Sequence, residues 1–211
     1  MSISISFAIT THNECVQLKK SIDLIENNLD DGDELIILDD YSSNTDTLEI
    51  LKNKKVFKKE FVKDYAEHKN YLNKLCRCEY IFQLDGDEVL SNNLIVNIKN
   101  IITDNREIDL FYIPRANYVH GITKYYLKMW NWSMDGKQRV NYPDYQGRLY
   151  KNEKRLYWHR QVHERIKGNL NFTKLPLNKN LDIIHEKNIQ KQKANNKFYT
   201  ENYDNDCIRK K

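Results

Sequence analysis

Glu79-Tyr80-Ile81-Phe82-Gln83-Leu84-Asp85-Gly86-Asp87-Glu88 joins a strand-like run to two carboxylates one residue apart. In a continuing strand Asp85 and Asp87 would point to the same side, but the glycine between them favours a chain that has left the ladder and turned. Two acids at the C-terminal mouth of a buried strand repel each other unless a cation sits between or beside them, which points to a divalent metal. Taken alone, Asp-Gly-Asp is also an ordinary acidic turn. The rest of the N-terminal half decides between the two.

Working outward, strand-like and helix-like segments alternate. Ile3 to Ile9 carries apolar residues at every second position, and Glu14 to Leu29 follows at near-helical spacing. Glu34 to Leu38 is a short, almost wholly apolar strand, Thr45 to Leu51 a short helix, and Lys55-Val56-Phe57 a weaker third strand. Tyr65 to Leu75 is helical, Ser91 caps a helix to about Ile102, and Asp109 to Ile113 returns to strand. This βαβα order predicts an α/β domain whose central sheet is mostly parallel, with helices on both faces.

Ligands of such open sheets bind outside the carboxyl ends of the strands. Thr10-Thr11-His12-Asn13-Glu14, Asp39-Asp40-Tyr41-Ser42-Ser43 and Asp85-Gly86-Asp87-Glu88 all fall on that edge. Hydroxyl, amide and carboxylate groups converging there suit the sugar and base of a nucleotide, and a metal between acids and diphosphate offsets the phosphate charge. No Gly-x-Gly-x-x-Gly and no Gly-Lys-Ser/Thr loop is present, which disfavours a dinucleotide enzyme or a P-loop ATPase.

Composition narrows the classes further. Among 211 residues, 34 Lys and Arg against 30 Asp and Glu leave a net charge of +4, which suits phosphate-bearing partners without demanding nucleic acid. No apolar run approaches the roughly 20 residues of a membrane span, and Met1 to Phe7 lacks a basic region and a cleavage site. A soluble, cytoplasmic chain is expected, with membrane contact at most peripheral. Cys15, Cys76, Cys78 and Cys207 are too few and too irregular for a disulfide framework or a zinc site, and are expected to be reduced and structural.

In order and spacing, Ile9 to Glu14, Ile37 to Asp46, His68-Lys69-Asn70 and Leu84 to Glu88 resemble glycosyltransferase family 2, with its GT-A fold. The likeness covers residues 3 to 115 clearly. It extends through Gln146-Gly147-Arg148-Leu149-Tyr150, Val162-His163-Glu164 and Ile184-His185, which resemble a succession in the family's lipooligosaccharide-type and peptide-glycosylating members.

The resemblance implies inverting transfer of a sugar from a nucleotide-diphosphate donor, a UDP-sugar, with Mn2+ or Mg2+ as cofactor and Asp85-Gly86-Asp87 as the family's DxD motif. Asp87 would bind the metal on the diphosphate, while Asp85 would face the ribose or a metal-bound water. Asp39, or Asp40 beside it, would hold the base or ribose. Thr11, Glu14 and Gly86 would belong to the same donor pocket, and Lys69 would approach a phosphate or the uracil. Plainer roles stay open: Glu14 can simply favour the positive N-terminus of its helix, and Lys69 can be a solvated helix residue.

Direct displacement needs a group that takes the proton from the acceptor hydroxyl. Glu164, after a short apolar strand and beside His163, is the first candidate base, and Asp144 its rival. A surface ion pair with Arg165 or Arg160 is the plainer role for Glu164. Arg148 can reach a phosphate through its fork or be an exposed strand residue. His185, read as following the strand Leu181 to Ile184, can complete a metal shell with Asp85 and Asp87 or be a hydrogen-bonded turn residue.

Tyr118, His120, Tyr125, Tyr126, Met129, Trp130 and Trp132 make an aromatic segment that either grips the acceptor or builds a small core. The expected organisation is a glycosyltransferase domain over 1–185, split into a donor half to 115 and an acceptor-side half from 116, followed by a helical, basic tail over 186–211. That tail is expected to be solvated and partly disordered, with packing over the active site or attraction to an anionic membrane as alternatives. A glycan, a lipid-linked glycan or a protein fits as acceptor, and nucleic acid is not expected. A nucleotidyltransferase would also use strand-end acids, but with a Gly-rich basic loop after the first strand. A non-catalytic carbohydrate- or nucleic-acid-binding module would have no use for converging acids.

Overall fold

The computed structural model describes residues 3–168 and 170–203. The first half runs β1 (Ile5–Thr11), α1 (Val16–Glu26), β2 (Glu34–Asp39), α2 (Thr45–Leu51), β3 (Val56–Lys58), α3 (Tyr65–Asn73), β4 (Tyr80–Asp85), β5 (Glu88–Leu90) and α4 (Asn92–Thr103). The second runs β6 (Leu110–His120), α5 (Lys124–Met129), β7 (Val140–Lys151), β8 (Tyr157–His159), β9 (Arg165–Lys167), β10 (Phe172–Lys174), β11 (Ile183–Asn188) and α6 (Ile189–Asn202).

The main sheet has the order β3-β2-β1-β4-β7-β6-β11-β5, with β10 added along β6. β1 is parallel to both β2 and β4, β2 to β3, and β6 to β10 and β11. Only β7 and β5 run against their neighbours, so the sheet is mostly parallel as expected. β8 and β9 form a separate hairpin.

Side-chain alternation along the strands assigns each face its helices. Ile5, Phe7 and Ile9 of β1 and Tyr80, Phe82 and Leu84 of β4 join a core closed by Leu18, Ile22 and Ile25 of α1 and Leu94, Ile95, Ile98 and Ile102 of α4. Ala8 and Ile81 face the other way, onto Ala66 and Leu72 of α3 and Trp158 and Ile166 of the hairpin. Each fully buried apolar side chain stabilises this arrangement by about 1.5–3 kcal/mol.

Local signals place the helix starts. Asn44, Asp64, Ser91 and Asn188 each accept a hydrogen bond from a first-turn backbone N–H, and Ser91 caps α4 as its position predicts. β1 starts and ends two residues later than expected, because Thr10 and Thr11 pair with Leu38 and Asp39. β6 continues to His120 beyond the expected Ile113, held by β7 on one side and β11 on the other despite its polar residues.

The expectation of a solvated tail is overturned within the described residues. Residues 186–188 continue β11, which lies between β6 and β5, α6 buries Ile189 and Gln192, and the rings of Tyr199 and of Tyr203 just beyond it lie against Tyr65. Few of its residues are apolar by hydropathy, but tyrosine rings and an ion pair dock it instead. Arg209, Lys210, Lys211 and Cys207 lie outside the described residues. Cys15, Cys76 and Cys78 are free thiols, and burial pushes Cys76 up to about 12. The aromatic segment forms a small core of Tyr126, Trp130 and Trp132 around Val119, Val140 and Ile189, leaving Tyr125 and Met129 exposed. Among the described residues no helix is long and apolar enough to cross a membrane.

Candidate active site

Register brings the three polar clusters to one edge: Thr11 lies opposite Asp39, and Thr10 opposite Asp85. Thr11 is buried and its hydroxyl finds no hydrogen-bond partner among the described residues. A Cβ on Gly86 would stand 2.8 Å from Thr11 Oγ1 and 3.2 Å from the Thr10 carbonyl oxygen, so the β4 turn closes against β1 only because residue 86 has no side chain. Asp39 is fully buried and accepts hydrogen bonds from the Ser42 hydroxyl (2.6 Å) and backbone N–H (3.2 Å). Asp40 keeps partial exposure, accepts from the Phe61 N–H at 2.8 Å and lies 3.5 Å from His12 Nδ1. Of the two neighbours, Asp40 is the more exposed.

Beneath this edge lies a network of buried charges. Asp85 Oδ1 meets Lys69 Nζ at 2.9 Å and Oδ2 meets Arg148 Nη2 at 2.5 Å. Burial pushes the Asp85 carboxyl up, but Arg148 and Lys69 outweigh it and hold the group far below the usual carboxylate range. Arg148 is 2% exposed, so it is no surface strand residue, and its fork also reaches Glu88 Oε1 at 2.7 Å. Glu88, fully buried, accepts from Arg115 Nη1 at 2.7 Å and from the Asp85 N–H at 3.0 Å. Lys69 is 1% exposed rather than solvated. It donates to Glu164 Oε1 at 2.6 Å and stands 4.8 Å over the Trp158 ring.

Asp87 belongs to a different group of charges. Its Oδ2 lies 3.2 Å from His185 Nε2 and 3.1 Å from Lys191 Nζ, and Lys191 also pairs with Glu14. Burial raises the Asp87 carboxyl, but His185, Lys191 and Lys187 hold it well below its ordinary range. Lys187 in turn is pushed by burial down to about 8. His185 sits inside β11, opposite Glu88 and Asn117, and not after a strand as expected, because pairing with β5 and β6 carries β11 on to Asn188. Glu14 precedes α1 and is tied to α6 instead of a helix terminus.

Of the three side chains expected to hold the metal, Asp87 and His185 stand together as a pair. Among the described residues no three His, Cys, Asp or Glu side chains cluster as a metal cage, and Asp85 turns to Lys69 and Arg148. Asp87 and His185 are the two of these side chains that could hold a divalent ion together. Asn117 donates its Nδ2 to Asp144 Oδ2 at 3.0 Å, so its Oδ1, 2.7 Å from His185 Nδ1, accepts the ring proton there. The remaining ring nitrogen then faces Asp87 Oδ2, and these two atoms need a proton or a metal ion between them.

The two candidate bases differ in their surroundings. Asp144 is hydrogen-bonded on both oxygens: Arg115 (2.6 Å) and Asn117 reach Oδ2, and Gln146 reaches Oδ1 (2.7 Å). Burial raises its carboxyl, yet Arg115 and these amides bring it down to about 2. Glu164 precedes β9 and pairs with Lys69, not with a surface arginine; burial lifts its carboxyl and the Lys69 ammonium outweighs that lift.

Glu88, Arg115, Asn117, Lys187 and Lys191 join these networks without having been singled out from the sequence. Glu88 ends the acidic cluster after β4 and Arg115 lies just past the strand expected to end at Ile113, but Lys191 falls in a segment whose hydropathy predicts solvation.

A family model described as Glycosyl transferase family 2 matches residues 6–169. Among curated proteins none matches the chain significantly. Among solved structures, S. aureus TarS 1–349 in complex with UDP-GlcNAc aligns at a TM-score of 0.56 and 13% identity, covering 88% of this chain and 59% of that one. S. aureus TarS 1–349 in complex with UDP aligns at 0.56 and 12% identity, covering 90% and 61%. The chain thus spans less than two thirds of the length of these structures. At such identities the likeness concerns the fold.

Proposed function

The chain belongs to glycosyl transferase family 2, and from that premise we propose an inverting glycosyltransferase that moves a sugar from a UDP-sugar to an acceptor hydroxyl. The observation that carries the proposal is the pairing of Asp87 with His185 beside Asp85, at the mouth of a parallel sheet where a nucleotide diphosphate binds. The TarS structures in complex with UDP-GlcNAc and UDP support a uridine donor class.

In this reading Asp87 and His185 hold a divalent ion, Mn2+ or Mg2+, which when bound stabilises the negative charge of the leaving diphosphate as a Lewis acid. Asp85, oriented by Lys69 and Arg148, faces the ribose side of the donor. The unpartnered Thr11 hydroxyl and Asp40 line the nucleoside, Asp39 braces their loop through Ser42, and Gly86 lets the donor-side turn close. Arg148 serves Asp85 and Glu88 rather than a phosphate.

Glu164 acts as the base. Among the described residues its hydrogen bond engages Oε1, whereas both oxygens of Asp144 are committed, and Asp144 connects through Asn117 to His185. A carboxylate already saturated with donors is a weaker proton acceptor. Asp144 thus becomes a positioning group for His185. The donor half extends to residue 115 and the acceptor side to 185. The acceptor is a glycan, a lipid-linked glycan or a protein, met in the cytoplasm with at most peripheral membrane contact.

Calorimetry of UDP and UDP-GlcNAc with and without Mn2+ tests the proposal. Wild-type chain binds in a metal-dependent way and Asp87→Ala loses that dependence while keeping its fold by circular dichroism. Metal-dependent UDP binding that survives in Asp87→Ala overturns the site assignment.

A further inference from the structure

Three ionic contacts converge at the start of α6. Lys191 Nζ lies 3.1 Å from Asp87 Oδ2, the same oxygen that stands 3.2 Å from His185 Nε2, and it also pairs with Glu14. Lys191 is placed by its helix: Asn188 caps α6 and accepts the Lys191 N–H at 2.8 Å, while Ile189 is buried against Val119 and Val140. The side chain is one-third exposed, at 32%, so it can withdraw toward solvent without unfolding the helix.

We infer that Lys191 is a built-in monovalent cation that competes with the divalent ion for Asp87, and so sets the metal affinity of the site. The inference rests on the assignment of Asp87 and His185 as metal donors. A divalent ion on Asp87 Oδ2 and the Lys191 ammonium on the same oxygen would be like charges at contact distance in a largely desolvated place, so one excludes the other. Glu14 gives the displaced ammonium a second anchor, which keeps it close to the donor edge. A site with this construction binds metal weakly by itself. It binds more tightly when a diphosphate contributes negative charge, because the anion pairs with the metal and with the released ammonium together.

The test is titration of the full chain with MnCl2 in the absence of nucleotide, followed by calorimetry and by loss of the free Mn2+ paramagnetic signal. Replacing Lys191 by methionine removes the charge and keeps the apolar stem. Lys191→Met is expected to bind Mn2+ more tightly than wild type by roughly tenfold or more, as loss of an adjacent like charge requires. Lys191→Arg keeps wild-type affinity, and Lys191→Gln repeats the gain if the methionine variant folds poorly. Equal or weaker Mn2+ binding in the neutral variants overturns the inference. The double variant Asp87→Asn/Lys191→Met separates the two assignments: loss of the gain there places the competition at Asp87. A gain that persists there places it elsewhere and overturns the inference together with the metal role of Asp87.

Discussion

Lys69→Met removes the one ammonium that joins Asp85 to Glu164. In the wild type it lies 2.9 Å from Asp85 Oδ1 and 2.6 Å from Glu164 Oε1, with a side-chain exposure of 2%. Methionine keeps the packing against Trp158 and leaves two neighbouring carboxylates without their shared cation. Asp85 retains Arg148, but Glu164 loses its recorded donor. Breaking a buried pair by deleting one partner destabilises by about 3–5 kcal/mol. With a urea slope of about 2 kcal/mol/M the unfolding midpoint falls by roughly 1.5–2.5 M near neutral pH. The loss depends on pH in a definite direction. The folded pKa of Glu164 is depressed in the wild type, so its contribution is full above the unfolded value of 4.5 and is lost as pH falls through the folded one. In the variant, burial acts without Lys69 and raises the folded pKa, so the penalty is present at neutral pH and fades as acid protonates the group. The gap between wild type and variant therefore narrows as pH falls from the variant's raised folded pKa, first through the fading penalty above pH 4.5 and then through loss of the wild-type contribution below it. Urea denaturation followed by tryptophan fluorescence at neutral and acid pH measures both quantities. A loss below about 1 kcal/mol at neutral pH, or a gap that fails to narrow in acid, refutes the account of the network.

Further outcomes follow from the same geometry. Glu164→Gln retains UDP affinity and lowers kcat by roughly 100-fold, as removal of a general base does; steady-state kinetics that assign this pattern to Asp144→Asn instead would move the base there. Gly86→Ala drives a methyl to 2.8 Å from Thr11 Oγ1 and 3.2 Å from the Thr10 carbonyl. The overpacking destabilises by about 1–3 kcal/mol, and a thermal melt identical to wild type would contradict it. Lys187 has its folded pKa lowered from 10.5 to about 8, so the unfolded chain holds more protons between those values and this residue makes stability rise with pH there. Lys187→Met abolishes that increment in urea titrations compared at mildly and strongly alkaline pH, and an unchanged slope shows that Lys187 is solvated.

The α/β class was legible in the sequence because its causes are local. Apolar runs such as Leu35-Ile36-Ile37-Leu38 can only be strands buried on both faces, and the acids that follow β1, β2 and β4 mark one edge whatever the rest of the chain does. Asp85, Gly86 and Asp87 stood out for the same reason: carboxylates flanking a glycine at a strand end are visible without knowing any neighbour. The partners of those acids were not visible. Lys69 meets Glu164 across 95 residues of chain, and Lys191 meets Glu14 across 177. Hydropathy counts lysine, arginine and tyrosine as solvent-seeking, so it left a solvated role open for Lys69 and Arg148 beside a phosphate contact, and put α6 in water. Burial of a charge is decided by whether another chain segment delivers its counter-charge, and that delivery depends on the path of the whole backbone. Local chemistry in the sequence thus determined the sheet and the edge where chemistry occurs. Only the tertiary structure decided that Asp85 and Asp87 answer to different cations, because α3 and β7 deliver Lys69 and Arg148 to the one while β11 and α6 deliver His185 and Lys191 to the other.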